Sequence, residues 1–117
     1  MKLAIIGSRN VFIDNIESYL PPNITEIVSG GAKGIDCLAA EYAKKNNIPL
    51  VEFLPDYHRY KRGAPLKRNE EIAKYADQAI AFWDGSSKGT LHTINLFQKN
   101  NKKVTIINCD LKDSYLH

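Results

Sequence analysis

The sequence predicts an α/β fold: a five-stranded, mainly parallel sheet between helices, in a three-layer αβα sandwich. Three observations carry this. Five short apolar runs recur along the 117 residues. Stretches with helical spacing separate them, and alternating strands and helices build a parallel sheet. The runs lack strict polar alternation, as expected of strands covered on both faces.

Lys2 to Gly7 is the first strand, ending in glycine. Asp14 to Leu20 can form a short helix, stopped by Pro21 and Pro22, since proline cannot continue one. Glu26 to Ser29 is the second strand, and Gly34 to Asn46 the second helix. Leu50 to Phe53 is the third strand, followed by a basic, tyrosine-bearing loop from Asp56 to Gly63. Ala64 to Tyr75 is a helix with Pro65 in its first turn, where proline is tolerated. Gln78 to Trp83 is the fourth strand, Gly89 to Asn100 the next helix, and Lys103 to Ile107 the fifth strand. The last ten residues carry little pattern. Residues 1–117 are expected to form one domain, a length that can enclose a single core.

Hydrophobic residues make up 44% of the chain and charged residues 25%, values of a globular protein, and the net charge is only +3. That charge permits a nucleotide or nucleic-acid partner without demanding one. The two cysteines, Cys37 and Cys109, lack metal-ligand spacing. Buried, reduced thiols and a cytoplasmic setting are expected. No apolar run approaches the roughly 20 residues of a membrane span, and no leader is expected at an N-terminus that opens directly on a strand. No metal site and no cofactor are expected, and Walker, GxGxxG and GxSxG patterns are missing.

The chemistry gathers at strand ends. Ser29-Gly30-Gly31-Ala32-Lys33-Gly34-Ile35-Asp36 joins a strand to a helix through glycines. The first N–H groups of a helix lack internal partners, and the helix dipole makes that end positive. Glycines leave room for an anion to approach, and Lys33 adds a charge, so this turn is a candidate phosphate site. Tight packing of strand against helix is the plainer explanation of the same glycines. Gly7-Ser8-Arg9 forms a second turn, and Asp84-Gly85-Ser86-Ser87-Lys88-Gly89-Thr90 a third. The third can hold an anion on Gly85, Gly89 and the hydroxyls of Ser86, Ser87 and Thr90, or simply cap its helix. All three lie at carboxyl ends of strands, where ligands bind in open parallel sheets.

Arg9 and Arg68 can pair bidentately with phosphate oxygens or stand as solvated surface residues. Asn69 follows Arg68 directly. Asp36 and Asp84 can accept from ribose hydroxyls or serve their own helices. Tyr57, Tyr60 or Trp83 can stack on a base, though Trp83 at a strand end equally suits the core. The run His58 to Gly63 interleaves cations with an aromatic, which suits a lid over an anion, a nucleic-acid contact or an ordinary solvated loop. His92, one turn into the helix after Thr90, is a candidate acid or base, or a structural histidine.

Taken in order, Gly7-Ser8-Arg9, Ser29 to Asp36, Arg68-Asn69 and Trp83 to Thr90 resemble the SLOG superfamily. The resemblance covers about Met1 to Ile107 and implies a Rossmann-like fold. It is closest to the small stand-alone proteins of that superfamily. Lonely guy phosphoribohydrolases, one branch, cleave the bond between base and ribose 5′-monophosphate. Arg68 and Gly89-Thr90 match their pattern, which implies catalytic duty for Arg68, but Leu91, His92 and Thr93 stand where their catalytic glutamate belongs. DNA-processing protein A, a second branch, carries a turn that Ser29 to Asp36 matches, implying single-stranded nucleic-acid binding. Sensor domains of the superfamily bind nucleotide-derived signals, which requires the cradle alone. The resemblance therefore implies a nucleotide-binding or sensing role first, a phosphoribohydrolase second and single-stranded nucleic-acid binding third, and it implies a homodimer without a membrane partner.

Overall fold

The computed structural model describes residues 1–31 and 34–109. Its strands are β1 (Lys2–Gly7), β2 (Glu26–Ser29), β3 (Leu50–Glu52), β4 (Gln78–Trp83) and β5 (Val104–Asn108). Its helices are α1 (Ile35–Lys45), α2 (Tyr57–Tyr60), α3 (Ala64–Tyr75) and α4 (Lys88–Lys99). The strands lie in the order β3-β2-β1-β4-β5, every neighbouring pair parallel. The architecture is the Rossmann-like α/β sandwich.

The chain builds outward from β1 to β3, then returns to the far side of β1 with β4. The order thus reverses between β1 and β4, registered as Ile5 beside Ile80 and Gly7 beside Phe82. Loops leaving these two strands must diverge, which opens a crevice at their carboxyl ends.

Alternation along β1 divides the core between two faces. Leu3 and Ile5 join Ile35, Ala39 and Ala43 of α1 together with Phe82. Ala4 and Ile6 join Ile72 and Ala73 of α3 and Ile94 and Phe97 of α4. Successive strand residues point to opposite faces, so both sides of the sheet are covered. Burying a side chain such as Phe82 or Phe97, each fully buried, contributes roughly 1.5–3 kcal/mol. The carboxyl end of α3 is closed by Lys102, whose Nζ donates to the carbonyls of Ala73, Lys74 and Ala76 at 2.7, 2.8 and 2.8 Å.

Four details differ from the sequence reading. The helix expected over 14–20 is a single 3-10 turn, Ile16–Tyr19, whose N-cap Asn15 makes no side-chain capping bond. With so short a run and two prolines after it, nucleation is not repaid by propagation. The loop expected over 56–63 contains α2 and a 3-10 turn, Lys61–Gly63. The Asp56 carboxylate accepts from the Arg59 amide at 3.1 Å and nucleates that turn. β3 stops at Glu52. Cys37 is exposed rather than buried, because α1 turns Ile35, Asp36, Ala39 and Ala43 inward. Among the described residues, no helix is long and apolar enough to cross a membrane.

Candidate functional site

A cleft of about 490 Å³ opens at the β1/β4 reversal. Gly7, Arg9 and Asn10 line it from the end of β1, Gly30 from the end of β2, and Asp36 from α1. Arg68 and Asn69 line it from α3, Asp84 and Ser87 from the end of β4, and Gly89, Thr90 and Thr93 from α4. The three glycine turns, far apart in sequence, thus meet in one space.

The wall after β4 is built around Asp84. Its Oδ1 accepts from the amides of Ser86 and Ser87 at 2.9 and 2.8 Å. These two backbone bonds hold the carboxyl below its ordinary range, because they favour the charged form. The Trp83 indole donates to the Ser87 carbonyl at 3.0 Å and pins the far side of the turn. Ser87 caps α4 by accepting from the Thr90 amide at 3.5 Å. The amides of Ser86, Ser87 and Thr90 are therefore engaged within the protein. No hydrogen bond among the described residues engages those of Lys88 and Gly89, at the positive end of a twelve-residue helix.

The opposite wall is built around Arg68, which is half-buried. Its Nη1 donates to the Gly30 carbonyl at 2.8 Å and its Nε to Asn69 Oδ1 at 2.9 Å. Asn69 is buried, and its Nδ2 lies 3.2 Å from His92 Nδ1. A chain of polar contacts thus ties the β2 turn to α3 and α4. Burial lowers the pKa of the Arg68 guanidinium and the negative charge of Asp36 opposes that shift. The arginine stays charged, and it is held in a site poorer in water than the surface. An anion entering the cleft meets a charge screened less than a surface one.

The glycines divide by duty. A Cβ on Gly7 would run into the Ile35 side chain, so this glycine brings β1 and α1 together. A Cβ on Gly30 would lie 2.5 Å from Arg68 Nη1, so the bare backbone there seats the guanidinium. Gly34 has φ of 78°, and a Cβ would sit 2.9 Å from the Arg9 carbonyl oxygen. Gly89 meets nothing within 4 Å and faces open space in the cleft.

Of the residues proposed from sequence, Ser8, Ser29, Gly31, Gly34, Gly85, Ser86 and His92 do not line the cleft. Ser8 is buried behind it, its hydroxyl accepting from the Asp84 amide at 3.3 Å and lying 3.4 Å from Thr90 Oγ1. Ser29 is fully buried, and its Oγ accepts from the Gly31 amide at 3.4 Å. His92 reaches the site only through Asn69. Lys33, with Ala32, lies outside the described residues. Asn10, Leu66 and Thr93 line the cleft without having been singled out. Thr93 follows Thr90 by three residues on α4, the spacing that places two side chains on one helix face, and Asn10 adjoins Arg9.

The cleft offers two arginines, two carboxylates, several hydroxyls and open helix-end amides. That set suits a phosphorylated, hydroxyl-bearing molecule. Among the described residues, no group of three His, Cys, Asp or Glu is placed to hold a metal.

Comparison with known families shows that the profile of the YspA, cpYpsA-related SLOG family, YAcAr, fits residues 1–60. No curated protein and no solved structure matches the chain. The matched half holds β1, β2, the glycine turn between Ser29 and Asp36, and β3. Such a match points to a nucleotide-related binding or processing role, in keeping with the cleft's chemistry. On the family profile and the parallel sheet together, the chain belongs to the YspA, cpYpsA-related SLOG family.

Proposed function

We propose that the cleft binds a nucleotide or nucleotide-derived ligand through its phosphate. One observation carries the reading: Arg68 is held half-buried against Gly30, across a cleft that it shares with the open amino end of α4. In this reading the Lys88 and Gly89 amides and the Thr90 hydroxyl face the phosphate from one side. Arg68 and Arg9 face it from the other, and Lys33 adds charge. Asp36 accepts from ribose hydroxyls.

The role is binding or sensing rather than turnover. Leu91, His92 and Thr93 stand at the place where a glycosidase of the resembled kind carries its glutamate. The Asp84 carboxylate is engaged by two amides and serves the turn that carries it.

The test is a thermal-shift screen of nucleoside mono-, di- and cyclic phosphates. A ligand that binds only the folded state, present at about 100 times its Kd, adds about 2.7 kcal/mol and raises Tm. One class of nucleotide should raise Tm in the parent protein, and by less in Arg68→Ala and Lys33→Ala. Release of free base from the binding ligand would replace the sensing role by an enzymatic one. A flat screen would refute nucleotide binding.

A further inference from the structure

Beside the cleft lies a second cavity of about 230 Å³, under half the size of the first. Arg68 lines both and forms the wall they share. The second cavity has a different chemistry. Leu54 and Tyr60 give it apolar and π surface, and Arg59, Lys67, Asp56 and Glu71 give it charges of both signs. The Arg59 guanidinium carbon is 5.2 Å, and Lys67 Nζ 5.8 Å, from the centre of the Tyr60 ring. Cations at this distance hold an aromatic ring in place. Leu54 stays 65% exposed, and packs so close to the β2 turn that a Cβ on Gly31 would strike it. Its face is therefore open beside the turn that seats Arg68.

The Asp56 carboxylate is engaged by the Arg59 amide, whereas no side-chain hydrogen bond among the described residues engages the carboxylate of the half-buried Glu71. A flat, uncharged ring bearing both N–H donors and ring-nitrogen acceptors suits this mixed lining: it can stack on Tyr60, cover Leu54, donate to Glu71 and accept from the cations.

We propose that this second cavity is the base subsite of the ligand, with Tyr60 as its stacking platform and Glu71 selecting a base that carries an exocyclic amino group. The inference rests on nucleotide binding in the cleft. The phosphate occupies the cleft, the ribose passes Arg68, and an amino-bearing purine enters the second cavity.

Isothermal titration of the full chain with ribose 5-phosphate and with adenosine, guanosine and inosine 5′-monophosphates tests it. Stacking on an aromatic side chain makes the amino-bearing nucleotides bind roughly tenfold or more tightly than ribose 5-phosphate. Tyr60→Ala brings them down to the affinity of ribose 5-phosphate, and Tyr60→Phe, which keeps the ring, does not. Guanosine monophosphate outbinds inosine monophosphate, which lacks only the amino group, and Glu71→Ala abolishes that difference. An advantage over ribose 5-phosphate that survives Tyr60→Ala overturns the base subsite and leaves phosphate binding in the cleft intact. Equal affinity of ribose 5-phosphate and all three nucleotides does the same. Equal binding of guanosine and inosine monophosphates overturns the role of Glu71. No binding by any of the four overturns the base subsite, and nucleotide binding in the cleft falls as well if the thermal screen is flat.

Discussion

The guanidinium of Arg68 and the carbonyl of Gly30 are 38 residues apart in sequence and 2.8 Å apart in space. The bond sets the arginine's position from the end of β2, and Asn69 sets its plane from α3. Removing the arginine costs the ligand a charged, forked donor. Arg68→Ala should weaken nucleotide binding about 10- to 100-fold, the range for a charge-assisted hydrogen bond of about 1.5–3 kcal/mol. Arg68→Lys should restore little, since an ammonium cannot reproduce the fork. Calorimetric titration of both variants checks this.

Gly7 and Gly89 both belong to the cleft's lining but should answer to different measurements. Gly7→Ala forces a methyl into Ile35 and should destabilise the fold by about 1–3 kcal/mol through overpacking. Gly89→Ala meets only open space. It should leave stability unchanged or slightly raised while lowering affinity, because the methyl enters the ligand's volume. Urea unfolding beside ligand titration separates the two effects.

Much of this was legible in the sequence, for physical reasons that particular residues make plain. The bounds of α3 and β4 are those expected, because Pro65 marks one helix start and the unbroken apolar run from Ala79 to Trp83 defines a covered strand. The meeting of three glycine turns followed from parallel topology. What the sequence hid was local or long-range hydrogen bonding. Asp56 builds a helical turn from what reads as loop. Asp84 takes the very amides that its Gly-Ser-Ser turn offered to a phosphate. Ser29 and Ser8 have hydroxyls suited to a ligand, yet the sheet buries both. The duty of Gly7 is set by Ile35, 28 positions away, which no local pattern reveals.

The Asp84 turn predicts an acid sensitivity. The group's pKa is lowered from 3.8 in the folded protein. A group with a depressed folded pKa contributes stability above its unfolded pKa and loses it as pH falls through the folded value. Asp84→Ala should therefore be less stable than the parent near about pH 7, and the gap should close as acid protonates the parent's carboxyl, below the ordinary carboxylate range. Denaturation of both proteins across that window provides the check.

Lys102 closes the end of α3 by donating to three carbonyls. Lys102→Met keeps the stem and removes the donors. It should cost about 1–2 kcal/mol, from lost charge-assisted bonds and the lost cation at a helix carboxyl end. Because Lys102 does not line the cleft, ligand affinity should hold. Thermal unfolding with and without nucleotide tests both halves of the expectation.

In the proposed mode of binding, a nucleotide's phosphate sits between Arg68 and the amino end of α4. An amide NMR titration of the full chain with the best ligand from the thermal screen tests this most directly. The largest saturable shifts should fall at the backbone amides of Lys88, Gly89 and Thr90 and at Gly30, and in Arg68→Ala they should need about 10- to 100-fold more ligand to saturate. Shifts confined to other surfaces, or unchanged in Arg68→Ala, would contradict it.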